Sequence, residues 1–351
     1  MTRRNTYTLL AAIFGALVLA AALLTSAGPA QATAKIKCKL TTGVAQVDPI
    51  INHDEPGPSS HLHQFFGNNG WLAKGNYANY SDLIGQGTNC DNAADTAGYW
   101  QPVVIDTRTG KHALTPQAFT AYYRTFDSKD TGSGNMAFPA DTRLTAMVAD
   151  AFGKSPGAAG WFCGQYESVP LQATIPDCSG MSQKPGHVLT VHISFPSCWN
   201  GVLPNHHDSD VGNTSDDANY AFPVRSGSKW VCPAAFPQHM VQLRETVQYP
   251  NPGKIPVQYL AVSSDPVMGG HNGSSMHGDF FNAWAQQGFE DAMCQQVNAG
   301  NNCVTPPSSE PSPTPTPTDS PSPTPTPTPT ATSAHPWCDA HPGRCHGHRH
   351  H

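Results

Sequence analysis

The sequence has few charged residues and no long basic run. Asp, Glu, Lys and Arg make up 13% of its 351 residues, and the formal net charge is −6. Nucleic acids and anionic membrane surfaces both favour clustered Lys and Arg. The composition therefore argues against nucleic acid and membrane surfaces as partners.

Motifs of several common protein classes are missing as well. The chain has no glycine-rich nucleotide loop, no His-Glu-x-x-His helix and no Cys-x-x-Cys pair, which argues against nucleotide-dependent enzymes, zincin proteases and zinc ribbons. Glycine and proline are plentiful instead, with 31 and 33 residues. Such a composition suits a loop-rich β protein and is unfavourable for a helical bundle.

The first 32 residues are predicted to be a secretory signal peptide. Arg3 and Arg4 precede an apolar run over residues 9–24, and Ala30-Gln31-Ala32 resembles a cleavage site. A membrane anchor is the alternative, but a spanning helix usually needs about 20 apolar residues. We therefore expect a secreted, extracellular protein that begins near Thr33 and is not membrane-bound after cleavage.

The chain contains ten cysteines. In an oxidising compartment, an even number favours disulfides over metal thiolates or a catalytic thiol. Sequence alone does not determine the connectivity. The natural local pairs are Cys163–Cys178, Cys198–Cys232, Cys294–Cys303 and Cys338–Cys345.

Residues 33–304 are predicted to form one mainly β domain, a disulfide-stapled β-sandwich or jelly-roll-like fold with long loops and one C-terminal helix. The candidate strands are short, rich in β-branched and aromatic residues, and bounded by turn formers. They are Tyr99–Asp106, Phe119–Phe126, Leu144–Ala149, Val188–Phe195, Tyr220–Val224, Met240–Tyr249 and Val257–Ser263. Helical spacing of apolar residues predicts a helix from Phe280 to about Asn298, with Asp279 as its N-cap.

The C-terminal part has a different composition. Repeated Pro-Ser and Pro-Thr steps over residues 305–330 predict an extended linker that buries no core. Residues 331–351 form a Cys/His-rich tail that is too short for a hydrophobic core. Its histidines can chelate a transition metal, as can any flexible histidine cluster.

Two histidine-containing segments are the strongest candidates for a functional site. In an extended segment, His61 and His63 point to the same side because side chains repeat with period two. A second polar cluster far downstream contains His277 and Asp279. We expect the two clusters to form one site, with the three histidines within roughly 8 Å of a common point.

Three interpretations of this site remain open. His61, His63 and His277 could bind a divalent metal such as zinc, copper or manganese, with Asp279 completing the ligand set. Alternatively, the four residues could be catalytic without a metal, one histidine removing a proton while the carboxylate orients it. In the third interpretation, the histidines only hydrogen-bond neighbouring loops.

Further polar and aromatic residues are candidates for substrate binding. Each has a structural alternative: an Asx-turn for an aspartate or asparagine, an ion pair for an arginine, and core packing for a tryptophan. The candidates are Asp48, Asn52, Gln64, Trp100, Tyr123 and Arg124.

Several stretches together resemble a secreted family found in bacteria and fungi, catalogued as a domain of unknown function (DUF1996). They are Asp48–Asn52, Ser60–Gly67, Tyr99–Pro102, Tyr122–Arg124, Phe195–Gly201, Cys232-Pro233 and His277–Trp284. The resemblance implies no activity, because none is assigned to the family. This chain departs from the family pattern in two places: Asn219 stands where the family usually has a histidine, and Gly278 where Ala is more usual. His206 and His207, in a nearby loop, could compensate for that histidine.

The leading functional hypothesis is a secreted protein that acts on or binds extracellular polysaccharide or cell-wall material. If catalytic, it would be a lyase or hydrolase using His61, His63, His277 and Asp279. The Pro/Thr-rich linker supports this hypothesis by analogy, since it resembles linkers in secreted polysaccharide-degrading enzymes. A non-catalytic cell-wall or carbohydrate-binding protein is the alternative, and an extracellular metal-binding protein is the third hypothesis.

Overall fold

A computed structural model describes residues 33–39, 43–70, 74–125, 134–152, 159–165, 170–181, 187–207, 209–253, 255–298 and 300–304. The chain divides into two units, Met1–Pro307 and Ser308–His351, and all described residues belong to the first. The predicted signal peptide, linker and tail, with Cys338 and Cys345, lie outside the described residues. No helix among the described residues is long and apolar enough to cross a membrane.

Short strands dominate the described part of the chain. They are β1 (Thr33–Cys38), β2 (Val44–Ala45), β3 (His63–Gly67), β4 (Gly98–Pro102), β5 (Val104–Asp106), β6 (Lys111–Leu114), β7 (Ala118–Arg124), β8 (Arg143–Met147), β9 (Gly160–Cys163), β10 (Val188–Ser194), β11 (Cys198–Trp199), β12 (Tyr220–Ala221), β13 (Val224–Ser226), β14 (Lys229–Val231), β15 (Gln238–His239), β16 (Gln242–Pro250), β17 (Leu260–Val262) and β18 (His277–Phe281). The helices are α1 (Tyr80–Leu83), α2 (Val148–Ala151), α3 (Asp265–Met268) and α4 (Gln286–Val297).

Two five-stranded antiparallel sheets form the body of the domain. Sheet A has the strand order β1-β7-β16-β10-β9, and sheet B has the order β2-β3-β4-β18-β8. Three smaller sheets, β12-β11-β15, β13-β14 and β17-β5-β6, lie in the connections.

Sheets A and B pack face to face around one hydrophobic core. Phe66 of sheet B stacks on Phe119 of sheet A, with ring centroids 4.2 Å apart. The hydroxyl groups of Tyr99 and Tyr123 hydrogen-bond across the same interior. Burying a large apolar side chain contributes about 1.5–3 kcal/mol, so this layer accounts for much of the stability. The predicted mainly β fold is confirmed.

Four disulfides lie among the described residues. The predicted pairs Cys163–Cys178, Cys198–Cys232 and Cys294–Cys303 are confirmed. The fourth, Cys38–Cys90, joins the end of β1 to the loop before β4. It had not been predicted, because its partners become neighbours only through the pairing of distant segments.

The predicted helix from Phe280 is wrong at its N-terminal end. Residues 277–281 form β18, and the helix α4 begins only at Gln286. Asp279 is therefore a strand residue and not an N-cap. The strand β18 lies between β4 and β8 and is buried on both faces. A strand buried on both faces shows no apolar–polar alternation, so its sequence resembles a buried helix.

Other strand boundaries also shift from the predictions. The predicted strand over 99–106 is divided at Val103, whose N–H donates to the carbonyl of Leu62 outside sheet B. The strand over 144–149 ends at Met147, where α2 begins. Residues Val257–Tyr259 form a 3-10 turn before β17.

Candidate metal centre

The predicted site lies on the outer face of sheet B. In β18, Gly278 faces sheet A, since a Cβ built on it would contact Glu245 and Ile193. Successive side chains of a strand alternate between faces. His277 and Asp279 therefore point away from sheet A, to the same side as Phe281.

Strand pairing brings the two histidine-containing segments together. The strand β4 lies between β3 and β18, and Trp100 of β4 is opposite both Phe65 and Asp279. On the β3 side, His63 is opposite Pro102. Extending the β18 register by two residues puts His277 beside the same proline. Two residues more than 200 positions apart thus flank one strand and share its outer face.

The three histidines converge through their Nε2 atoms. His277 Nε2 lies 3.3 Å from His61 Nε2 and 3.4 Å from His63 Nε2. One ligand atom from each of the three histidines can be chosen so that all lie within 4.8 Å of one another. The predicted convergence of the three histidines is confirmed.

Backbone carbonyls fix the orientation of two of these rings. His63 Nδ1 lies 2.9 Å from the carbonyl of Val47, and His277 Nδ1 lies 3.0 Å from that of Ser275. A carbonyl oxygen only accepts, so each Nδ1 must carry the proton and donate it. In the neutral rings, both Nε2 atoms then present lone pairs to the shared point.

The third ring has more freedom. Ser60 Oγ lies 2.8 Å from His61 Nδ1, and a hydroxyl can either donate to that nitrogen or accept from it. If Ser60 donates, His61 carries its proton on Nε2 and can donate it to His277 Nε2. If Ser60 accepts, all three Nε2 atoms present lone pairs to the shared point.

Asp279 adds a carboxylate to the cluster. Its Oδ2 lies 3.7 Å from His277 Nε2, and its Oδ1 accepts a 2.8 Å hydrogen bond from Thr145 Oγ1. Asp279 is completely buried, and its Oδ2 has no hydrogen-bond partner among the described residues. A buried carboxylate oxygen without a donor is costly unless a cation or proton compensates it.

Burial keeps the three imidazoles neutral. It lowers the pKa of His61 to about 4 and that of His277 to about 3, the charge of His61 adding to the effect on His277. The pKa of His63 is also well below its ordinary value. Burial is the largest cause, and the charges of His61 and His277 lower this pKa further. Near neutral pH all three therefore have the uncharged form that metal ligation requires.

Burial and nearby carboxylates both favour the protonated form of the Asp279 side chain. The pKa of Asp279 is raised well above its ordinary value. Burial is the largest cause, and the negative charge of Asp48 is the second largest. The carboxylates of Glu245 and Asp217 act in the same direction. Burial likewise raises the pKa of Asp48 to about 6. A cation at the cluster would reverse this balance, because it stabilises the ionised carboxylates.

A second layer of contacts supports the ligand atoms. Asp265 Oδ1 accepts from the backbone N–H and the hydroxyl of Ser275, at 3.1 and 2.7 Å. The carbonyl of Ser275 in turn holds the Nδ1–H of His277. Sequence analysis missed Asp265 and Thr145, because neither lies in a motif with a recognisable spacing.

Two predicted substrate-binding residues adjoin the cluster but have structural partners. Asp48 Oδ1 accepts from the backbone N–H groups of Ile50 and Ile51, which is the Asx-turn alternative. Burial has the largest effect on the pKa of Asp48, and the Trp100 side chain acts against it. Trp100 is 1% exposed and packs with Phe65, so its ring is not available as an open platform for a sugar.

The other candidates have different surroundings. The Asn52 amide donates to Glu55 Oε2, and the Gln64 amide donates to the carbonyl of Gly43 from the strand face opposite His63. Tyr123 is buried in the core between the sheets, and Arg124 donates to Gln242 of sheet A at 3.0 Å. The structure does not bring these four side chains to the histidines.

The loop residues that could replace a missing histidine have other contacts. His206 Nε2 lies 3.1 Å from Asp216 Oδ2, and the backbone N–H of His207 donates to Asp210. The side chain of Asn219 accepts from Asn200. The Cys198–Cys232 disulfide is present, but His206 contacts Asp216 instead of the histidine cluster.

These features define a disulfide-linked β-sandwich with a buried histidine–carboxylate cluster on one sheet. The chain belongs to the family described as Domain of unknown function (DUF1996), whose model matches residues 48–284. That range contains all four residues of the cluster. Neither the curated proteins nor the solved structures include a match.

Proposed function

We propose that this protein is an extracellular metal-binding protein. The centre consists of His61, His63 and His277, with the carboxylate of Asp279 as the fourth ligand. The ion is a transition metal, because three imidazoles and one carboxylate are a donor set that suits zinc or copper.

The distances between the Nε2 atoms carry this proposal. Zinc–nitrogen bonds are about 2.0–2.1 Å long, so two ligands of a tetrahedral ion stand about 3.3–3.4 Å apart. His277 Nε2 lies at 3.3 and 3.4 Å from the corresponding atoms of His61 and His63. Small side-chain movements would bring the Asp279 carboxylate, now 3.7 Å from His277 Nε2, into the same shell.

The hydrogen bonds also favour a cation over an empty cluster. His63 and His277 both donate Nδ1–H to backbone carbonyls, the arrangement usual for metal-bound histidines. Their Nε2 lone pairs then face each other at 3.4 Å. A single proton on His61 satisfies one such contact but not the other. A bound cation satisfies both, together with Asp279 Oδ2, which has no hydrogen-bond partner in the described part of the chain.

The burial of the cluster favours metal binding over direct action on a polysaccharide. Catalysis by these side chains would require an open approach for a bulky sugar chain, yet none of the four is more than 8% exposed. A hydrolase or lyase acting on polysaccharide at this cluster is therefore the second candidate. The linker composition is the feature that supports it.

Metal stoichiometry tests the centre directly. The histidine-rich tail would bind metal itself, so its six histidines are first replaced by serine in the full-length chain: His335, His341, His346, His348, His350 and His351. Titration with Zn²⁺, followed by elemental analysis after gel filtration, should then give one equivalent per chain. The His63→Ala and His277→Ala variants should each weaken binding at least about 100-fold.

A matched control separates ligation from a general loss of histidine. His271 is exposed and lies on the loop that precedes β18, so His271→Ala should keep the full equivalent. Equal zinc affinity in His63→Ala, His277→Ala and the unchanged chain would refute the centre.

Export is tested separately. The disulfides fit an oxidising compartment, and we propose cleavage of residues 1–32. Expression of the full chain in a secreting bacterial host, with N-terminal sequencing of protein from the medium, should give Thr33 as the first residue. Retention in the cells with an intact N-terminus would contradict secretion.

A further inference from the structure

A groove on the outer face of sheet A has a different chemistry from the histidine cluster. It encloses about 400 Å³ and is formed by β1, β7, β16 and residues next to them. Pockets of about 300–1,000 Å³ accommodate drug-sized ligands, so a short stretch of a polymer fits. The histidine cluster lies on sheet B, facing away from sheet A, so the two features are on opposite faces of the sandwich.

Cations line this groove, although Asp91 Oδ1, outside the lining, accepts a 2.9 Å hydrogen bond from the backbone N–H of Lys37. Lys35, Lys37 and Lys39 occupy alternate positions along β1 and just beyond it, and all three are exposed. Residues two apart on a strand are about 7 Å apart, so the three ammonium groups form a row. Arg244 adds a fourth cation, and no Asp or Glu is among the described residues that line the groove.

The positive charge extends from the edge strand β1 to β16 in the interior of sheet A. Lys35, Tyr122 and Arg244 are opposite one another on the neighbouring strands β1, β7 and β16. The Tyr122 ring has the Lys35 ammonium 5.5 Å and the Arg244 guanidinium 5.4 Å from its centroid. Lysines on an edge strand often serve only to prevent pairing with other chains. That role does not account for Arg244, two strands further in, or for the enclosed volume.

Neutral hydrogen-bonding groups share the groove with the cations. Gln117, Gln165 and Gln248 supply amides, and Thr120 and Thr246 supply hydroxyls. Thr246 is 6% exposed, and its Oγ1 has no hydrogen-bond partner among the described residues. A buried hydroxyl without a partner is unfavourable unless a ligand or water supplies one.

We propose that this groove binds an acidic polysaccharide, with sugar carboxylates on the lysine row and sugar hydroxyls on the amides and threonines. The row of ammonium groups fits a linear polyanion. The density of amide and hydroxyl groups fits sugar hydroxyls, which nucleic acid phosphates do not offer. Binding here is independent of the proposed metal centre.

Affinity for polygalacturonate, a polymer of an acidic sugar, tests the proposal. With the full-length chain at pH 8, in 20 mM salt and with EDTA present, we expect saturable binding by calorimetry. Replacing all three lysines (Lys35→Ser, Lys37→Ser, Lys39→Ser) should weaken binding at least 10-fold. The single charge reversal Lys37→Glu should weaken it in the same direction. These side chains are exposed, so the melting temperature should not change.

Matched controls define the site and the ligand class. Lys111→Ser and Lys229→Ser remove exposed lysines outside the groove and should leave the affinity unchanged. The EDTA in the assay removes any bound metal, so failure of the metal proposal would not affect this result. Dextran, a neutral polysaccharide, should not bind.

Three outcomes would overturn the proposal. The first is equal polygalacturonate affinity in the triple variant and the unchanged chain. The second is binding of dextran as strong as that of polygalacturonate, which would remove the role of charge. The third is tighter binding of double-stranded DNA than of polygalacturonate at equal charge concentration, which would assign the groove to a different polyanion.

Discussion

Gly278 and Glu245 face each other across the interior of the sandwich, directly behind the histidine cluster. A Cβ built on Gly278 would lie 2.7 Å from Glu245 Oε2, closer than side-chain atoms normally approach. Glu245 is fully buried, and neither of its carboxyl oxygens has a hydrogen-bond partner among the described residues. Burial raises the pKa of Glu245 well above its ordinary value, because a charged carboxylate is unfavourable in the core. Gly278 thus provides the space that the carboxyl group occupies.

This contact predicts that the stability cost of Gly278→Ala depends strongly on the presence of the Glu245 side chain. Gly278→Ala should lower the free energy of unfolding by about 1–3 kcal/mol, because the new methyl group overpacks the core. In a Glu245→Ala background, the same substitution should cost less than about 0.5 kcal/mol. Urea denaturation of the four proteins in this double-mutant cycle measures the difference.

Gly288 provides the matched control for Gly278→Ala. It lies in α4, and a Cβ added there meets nothing within 4 Å. Gly288→Ala should therefore stabilise the protein by about 0.5–1 kcal/mol, through helix propensity. Equal costs of Gly278→Ala with and without Glu245 would show that the two residues are not coupled.

The hydrogen bond from Thr145 to Asp279 gives a second prediction. Thr145→Val keeps the shape of the side chain but removes the hydroxyl that orients the Asp279 carboxylate. Loss of such an outer contact typically lowers metal affinity by about 10–100-fold. Zinc titration of the variant with serine replacements in the tail should show this loss.

Thr145→Ser retains a hydroxyl and should restore most of the affinity. Unchanged zinc affinity in Thr145→Val would mean that Asp279 is not a ligand. The three histidines would then form the centre without it.

The sequence predicted the composition of the candidate site but not the geometry that creates it. The period-two spacing of His61 and His63 indicated one shared face. Their convergence with His277 was expected because these two segments were the strongest candidates for a functional site. The position of β4 between β3 and β18, which fixes that convergence, depends on long-range strand pairing. Local sequence contains no direct signal for such pairing.

The errors in the fold prediction have the same origin. Phe280 faces the core and Phe281 faces the outer cluster, so both positions are apolar and β18 lacks alternation. The spacing of Phe281, Trp284 and the following residues therefore suggested a helix that begins too early. Tyr123 was interpreted as a substrate-binding residue because Tyr123 and Arg124 resemble a strand end that presents a phenol and a guanidinium to an anionic substrate. Here it lies under the opposite sheet.

Asp95 gives a prediction for the pH dependence of stability. Both of its carboxyl oxygens lie 2.9 Å from the Tyr99 hydroxyl in the core. Burial raises the pKa of Asp95 to about 7, whereas the unfolded value is about 3.9. Asp95 therefore contributes most to the free energy of unfolding below about pH 4, where it is protonated in both states. This contribution is lost as the pH rises towards and through 7.

Asp95→Asn should remove this dependence, since an amide does not titrate. Between pH 4 and 7, the stability of the unchanged protein relative to the variant should fall by up to about 1.4 kcal/mol per pH unit. The buried histidines give the opposite slope, but they are common to both proteins and cancel in the comparison. Parallel curves of unfolding free energy against pH would contradict a raised pKa for Asp95.

The disulfides Cys198–Cys232 and Cys294–Cys303 give the final prediction, because they close loops of very different length. Their sequence separations are 34 and 9 residues, and in each pair one cysteine is fully buried and the other partly exposed. The chain-entropy relation gives about 3.8 kcal/mol for the longer loop and about 2.6 kcal/mol for the shorter one. Replacing both cysteines of a pair by alanine should therefore destabilise the protein more for Cys198–Cys232, by about 1 kcal/mol. Urea denaturation of the two double variants, each confirmed by mass mapping to retain its other bridges, measures this difference. A larger loss for Cys294–Cys303 would mean that native packing around α4, and not loop closure, determines what each disulfide contributes.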